Sequence, residues 1–70
     1  MFSVKVSLRG REKPWSRIVR TGPYAVEEVV AGLGMNPLEV LIKLNGEFVP
    51  DTQKVKKGDT IDLLEITSRG

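Results

Sequence analysis

Gly70 closes this sequence with a carboxylate that no side chain crowds, at the end of a polar stretch, Thr67-Ser68-Arg69-Gly70. A glycine terminus can enter a narrow cleft of a partner, because backbone approaches backbone closely where there is no Cβ. Such an end is useful if the carboxylate itself is the working group. Taken alone, the same residues also describe a frayed terminus, which most domains have.

Other chemistry finds little support. The chain has no histidine and no cysteine, so the commonest general base, the commonest metal ligand and any thiolate site are missing. Its serines, threonines and lysines have no neighbouring base, and no carboxylate pair stands apart from the scattered acids. No catalytic residue, metal ligand or stably bound cofactor is assigned, and the chain does not read as an enzyme.

Seventy residues, 40% of them hydrophobic, provide for one domain with one core. The longest apolar runs fall far short of the roughly 20 residues that span a bilayer. Lys5 and Arg9 break the N-terminal apolar positions, unlike a signal peptide. A cytoplasmic protein with no membrane partner is the expectation. Net charge is +2, yet five of the 11 basic residues lie between Arg9 and Arg20, with Glu12 opposing them. That cluster can touch phosphate, but so small a net excess makes nucleic acid an unlikely partner and favours a solvated loop.

The positioning elements follow from periodicity. Phe2, Val4, Val6 and Leu8 alternate with polar residues and predict a half-buried strand. Gly10 to Pro14 is a polar turn, and Trp15 to Arg20 a second strand, hairpin-paired with the first. Its inward face is open: either Ser16, Ile18 and Arg20 or Trp15, Arg17 and Val19. Pro23 suits the first turn of a helix of about three turns, on which Val26, Val29, Val30 and Leu33 form an apolar stripe. Gly34 is its left-handed cap, and Asn36-Pro37 prevents continuation. Val40 to Leu44 and Glu47 to Val49 flank an Asn45-Gly46 hairpin turn. Lys54 to Gly58 is a charged approach to the last strand, Thr60 to about Ile66. On that strand Ile61 and Leu63 share one face, and Leu64 and Ile66 the other. Either a bulge shifts the phase, or Leu64 and Ile66 stand on the open face with Phe48 as a candidate docking patch. The fold class is α+β: a mixed sheet of four to five strands with one helix across one face. Residues 1–66 form the domain and 67–70 a flexible tail.

The block from Ile42 to Pro50, then Lys57-Gly58-Asp59-Thr60-Ile61, then a terminal glycine, resembles the ubiquitin-like β-grasp sulfur carriers. These are the ThiS and MoaD proteins and the related archaeal small modifiers. The resemblance covers nearly the whole chain in length and element order, and its specific part is the C-terminal half. It implies a β-grasp fold and a role as carrier or modifier. A ubiquitin-activating-type enzyme, using ATP and Mg of its own, adenylates the terminal carboxylate. The product is then a thiocarboxylate for a sulfur-accepting synthase, or an isopeptide bond to a lysine of a target protein. A desampylase-type metalloprotease would reverse the second outcome. Carried over by position, Gly70 is the activated terminus and Thr67, Ser68 and Arg69 are its stalk. Asn45, Gly46, Gly58 and Asp59 are turn residues. The chain departs from the usual double glycine, because Arg69 occupies the penultimate position and brings a Cβ there. A second resemblance, to the TGS domains, implies a non-covalent RNA- or ribosome-associated module, with Trp15 among cations as its stacking residue.

Overall fold

The computed structural model describes residues 1–10 and 14–66. The period-two segment at the N-terminus forms β1 (Phe2–Arg9), with Val4 and Val6 buried and Ser3, Lys5 and Arg9 exposed. β2 (Trp15–Thr21) pairs with it antiparallel, from Phe2 opposite Thr21 to Leu8 opposite Trp15. The helix α1 (Val26–Gly32) follows, then β3 (Val40–Leu44), β4 (Glu47–Phe48) and β5 (Thr60–Glu65). The sheet order is β2-β1-β5-β3-β4, with β5 parallel to β1 and antiparallel to β3. A five-stranded mixed sheet with one helix is the α+β, β-grasp architecture that the sequence implied.

The core is one layer between α1 and one face of the sheet. Val26, Val29 and Val30 of the helix meet Val4, Val6, Val40, Ile42, Leu44, Ile61 and Leu63 of the strands. Val55 joins them at 1% exposure, although it lies between lysines in the segment expected to be a charged approach. It is carried inward because its N–H donates to the Tyr24 carbonyl at 3.0 Å. A lone valine without a periodic neighbour carries no local signal of this.

The helix starts later than the sequence suggested, and Pro23 lies outside it. Ala25 is extended (ψ 147°) and bridges to Lys54. Val26 N–H donates to the Gln53 carbonyl and Glu27 N–H to that of Asp51, at 2.8 and 3.0 Å. The 51–55 loop thereby satisfies first-turn donors that no side chain caps. With seven residues, mostly valine and glutamate, α1 depends on burial more than on propensity. Gly34 has φ +84°, as a left-handed stop requires. Beyond it a 3-10 turn spans Pro37–Glu39, with Asn36 Oδ1 accepting from Leu38 N–H at 2.9 Å.

The two C-terminal turns interlock. Asn45 (φ 54°) and Gly46 (φ 88°) are both left-handed, as a two-residue hairpin turn demands. Asn45 also reaches 14 residues along the chain: its Nδ2 donates to Asp59 Oδ1 and its Oδ1 accepts from Thr60 N–H, both at 2.9 Å. Asp59, 5% exposed, uses Oδ2 to accept from Lys56 N–H at 2.7 Å. One side-chain pair thus staples the β3–β4 hairpin to the start of β5. Asp59→Ala is expected to lower unfolding free energy by about 1–3 kcal/mol, since it strands the Asn45 amide and the Lys56 N–H. Urea titration would read this, and an unchanged midpoint would refute the staple.

Candidate functional site

The four apolar residues at the end of β5 divide between two faces. Its pairing with β3 runs unbroken from Val40 opposite Glu65 to Leu44 opposite Ile61. Pairing with β1 is likewise unbroken from Lys5 opposite Thr60 to Arg9 opposite Leu64. With no bulge, alternation holds, so Ile61 and Leu63 are fully buried while Leu64 is 44% and Ile66 40% exposed. The open-face alternative is therefore the one realised.

Register shows what surrounds Leu64. Its partner on β3 is Leu41, 42% exposed, and its partner on β1 is Arg9. Lys43 lies between Asp62 of β5 and Phe48 of β4, with its Nζ 4.9 Å from the centre of the Phe48 ring. Phe48 is 63% exposed, and it shares a groove of about 370 Å³ with Leu41, Pro37 and Val49. Leu41 is thus the link between Leu64 and Phe48, and it was absent from the patch expected from sequence. Alternation with Lys43 already marks Leu41 as the outward residue of β3, but only the β3–β5 register places it beside Leu64.

The same face carries Lys5, Arg9, Arg20 and Lys43 against Asp62. It is an apolar strip within a cationic field, suited to a partner surface that is apolar at its centre and acidic at its margin.

The chain leaves the fold beside this strip. Ile66 N–H donates to the Glu39 carbonyl at 2.9 Å, extending the β3–β5 ladder by one residue. The Glu65 side chain lies over Gly10, where a Cβ would collide with it. Thr67, Ser68, Arg69 and Gly70 lie outside the described residues, as do Arg11 and Lys13 of the basic cluster.

β2 resolves the open choice of face: Trp15, Arg17 and Val19 share the side of Leu8, Val6 and Val4, while Ile18 is 69% exposed on the other. Trp15 is half-buried against the core, and the Arg17 guanidinium stacks 4.3 Å from its ring centre. That ring face is already occupied, which weakens the base-stacking role that a nucleic-acid module would ask of Trp15. Among the described residues no helix is long and apolar enough to cross a membrane.

A family model, the ThiS family, matches residues 7–68. No curated protein matches the chain. The matched span begins within β1, takes in α1 and the Asn45–Asp59 staple, and ends at Ser68. Proteins of this family are small carriers and are not themselves enzymes. By this match, and by its five-stranded sheet with a single helix, the chain belongs to the ThiS family of ubiquitin-like β-grasp sulfur carriers.

Proposed function

We propose that the carboxylate of Gly70 is the group this carrier lends to other enzymes. An adenylating enzyme of the ubiquitin-activating type docks on the Leu41–Leu64–Phe48 face, with Ile66 at its border, and binds ATP and Mg itself. The Gly70 carboxylate attacks ATP to give an acyl adenylate with loss of pyrophosphate. A sulfur nucleophile then displaces AMP and leaves a thiocarboxylate, which a sulfur-accepting synthase consumes. In the alternative outcome a lysine amine of a target protein displaces AMP and forms an isopeptide bond, open to removal by a desampylase-type metalloprotease. These steps belong to the cytoplasm, where ATP is supplied.

The observation that carries this reading is the family match over residues 7–68. The position of the chain exit supports it. Four residues beyond Ile66 reach at most about 14 Å, so an enzyme that acts on Gly70 must also lie close to the Leu64 strip. Docking surface and reacting group then engage one partner at once. The fold contributes shape and charge, and the partner contributes the oxyanion and nucleotide contacts.

Incubation with a matching adenylating enzyme, ATP, Mg and a sulfur donor tests this by intact mass. Replacing one oxygen by sulfur adds about 16 Da. No gain, with an enzyme active on its own carrier, would count against the proposal. Leu64→Asp is expected to raise the KM for activation about tenfold, with kcat and thermal unfolding little changed, because Leu64 is exposed and contributes to docking only. A loss confined to kcat would move the docking surface elsewhere.

A further inference from the structure

The chain has two asparagines, and the residues that follow them differ in reactivity. Asn36 precedes Pro37, whose ring nitrogen carries no proton to lose and does not close on the side-chain amide. Asn45 precedes Gly46, whose nitrogen carries a proton and has no Cβ beside it. Asparagine is thermolabile because the next backbone nitrogen can attack its amide carbon. Gly46 is exposed, and an added Cβ there would meet nothing within 4 Å. Among the described residues no backbone carbonyl accepts from its N–H. The nucleophile is therefore free.

The amide it would attack is held. Asn45 N–H donates to the Thr60 carbonyl at 2.8 Å, its Nδ2 donates to Asp59 Oδ1 at 2.9 Å, and its Oδ1 accepts from Thr60 N–H at 2.9 Å. Both polar atoms of the side chain are engaged with β5 and its approach. Asp59 is 5% exposed, and its other oxygen accepts from Lys56 N–H at 2.7 Å, so the holder is itself held. To bring Cγ onto the Gly46 nitrogen, Asn45 must release both side-chain bonds and leave its left-handed turn conformation (φ 54°).

We propose that Asn45–Gly46 is a self-modification site kept latent by Asp59, which records irreversibly any parting of the β3–β4 turn from β5. In the opened turn the Gly46 nitrogen gives its proton to hydroxide and attacks Asn45 Cγ. The N–Cγ bond forms, the Cγ–Nδ2 bond breaks, and the departing nitrogen takes a proton from water and leaves as ammonia. Water then opens the five-membered ring, with hydroxyl going to one carbonyl carbon and hydrogen to the nitrogen. Scission at Cγ leaves aspartate at position 45, and scission at the main-chain carbonyl leaves isoaspartate. The net change is OH for NH2, with no oxidant or reductant.

Neither product can rebuild the staple. Aspartate has an acceptor where Nδ2 donated, so two carboxylates meet across the 2.9 Å that the hydrogen bond spanned. Isoaspartate adds a methylene to the main chain, which breaks the Leu44–Glu47 register that a two-residue turn sets. The site lies at the start of β5, away from the end at which the chain leaves the fold, and it does not depend on chemistry at Gly70.

The full chain is kept at mildly alkaline pH, folded or in denaturing urea. Position 45 is followed by peptide mass, which rises by about 1 Da as amide becomes carboxylate, and by isoaspartate-directed methylation. Conversion in urea is expected to be at least about tenfold faster than in the folded chain, because only the opened turn reacts. Asp59→Ala should speed conversion of the folded chain about tenfold. Amide exchange at Thr60 reads the same opening in the parent without any substitution, since Asn45 Oδ1 holds that N–H. Exchange and conversion should rise together as urea is added below the unfolding midpoint. The purified product and Asn45→Asp should both unfold at lower urea than the parent. Four results would each overturn the inference. They are equal rates in folded and unfolded chains, no conversion in urea, Thr60 exchange that does not track conversion, or a product with the parent's urea midpoint.

Discussion

A chain lacking Gly70 is expected to unfold at the same urea concentration as the parent and to gain no mass on incubation with the adenylating enzyme, ATP and a sulfur donor. The two halves of this result have separate causes. Among the described residues, the last backbone hydrogen bond is that of Ile66, and every core residue lies between Val4 and Leu63. Removing the final residue therefore leaves these core residues and hydrogen bonds in place. It moves the carboxylate back by one residue, roughly 3.3–3.6 Å in an extended chain, and places it on Arg69. A displacement near 1 Å from the reacting geometry can cost about a hundredfold, so a shift of this size should abolish turnover. Gly70→Ala separates reach from bulk, because it restores the length and adds only a Cβ. Activity of the alanine variant close to the parent would show that reach is the requirement. Arg69→Gly is expected to accelerate activation by removing the Cβ that stands where such carriers usually have glycine. Full thiocarboxylate formation by the chain without Gly70 would end the proposal that this residue is the acyl donor.

The second large effect lies in β5, where adjacent leucines should behave oppositely. Leu63 is fully buried and stands between Leu8 of β1 and Ile42 of β3 at the centre of the sheet. Leu63→Ala removes apolar volume from a site fenced by backbone on both sides, where collapse is difficult, so about 2–5 kcal/mol should be lost. A domain of this length has a total stability of roughly 4–10 kcal/mol, so this variant should lose a large share of it and unfold at a much lower urea concentration than the parent. Leu64→Ala, one residue on, should cost about 0.5 kcal/mol or less, because that side chain already faces solvent. Urea denaturation of the two variants reads the phase of the strand directly. Equal losses at both positions would mean that the register is shifted or bulged and that the open-face strip is misassigned.

Much of the architecture was legible in the residues. Alternation through Phe2–Leu8, the valine stripe of α1 and the Asn45-Gly46 turn each depend on neighbours within a few positions, and each appears where expected. The family resemblance rested on this same local chemistry, and the Asn45–Asp59 contact explains why those two turns occur together. The site was less legible. Leu64, Ile66 and Phe48 were recognisable as surplus apolar residues, but Leu41 became their neighbour only through long-range pairing.

By itself, then, the sequence determined the element types, the turns, the single core and the lack of histidine and cysteine. These depend on backbone preference, side-chain period and composition, which act over short distances or none. Tertiary structure decided which face of β2 turns inward, that β5 carries no bulge, that Val55 is core, and that Pro23 stays outside the helix. It also decided which strand is left as the long edge. Each of these follows from which strand or loop lies alongside another, and a period of two leaves that choice degenerate until distant segments meet.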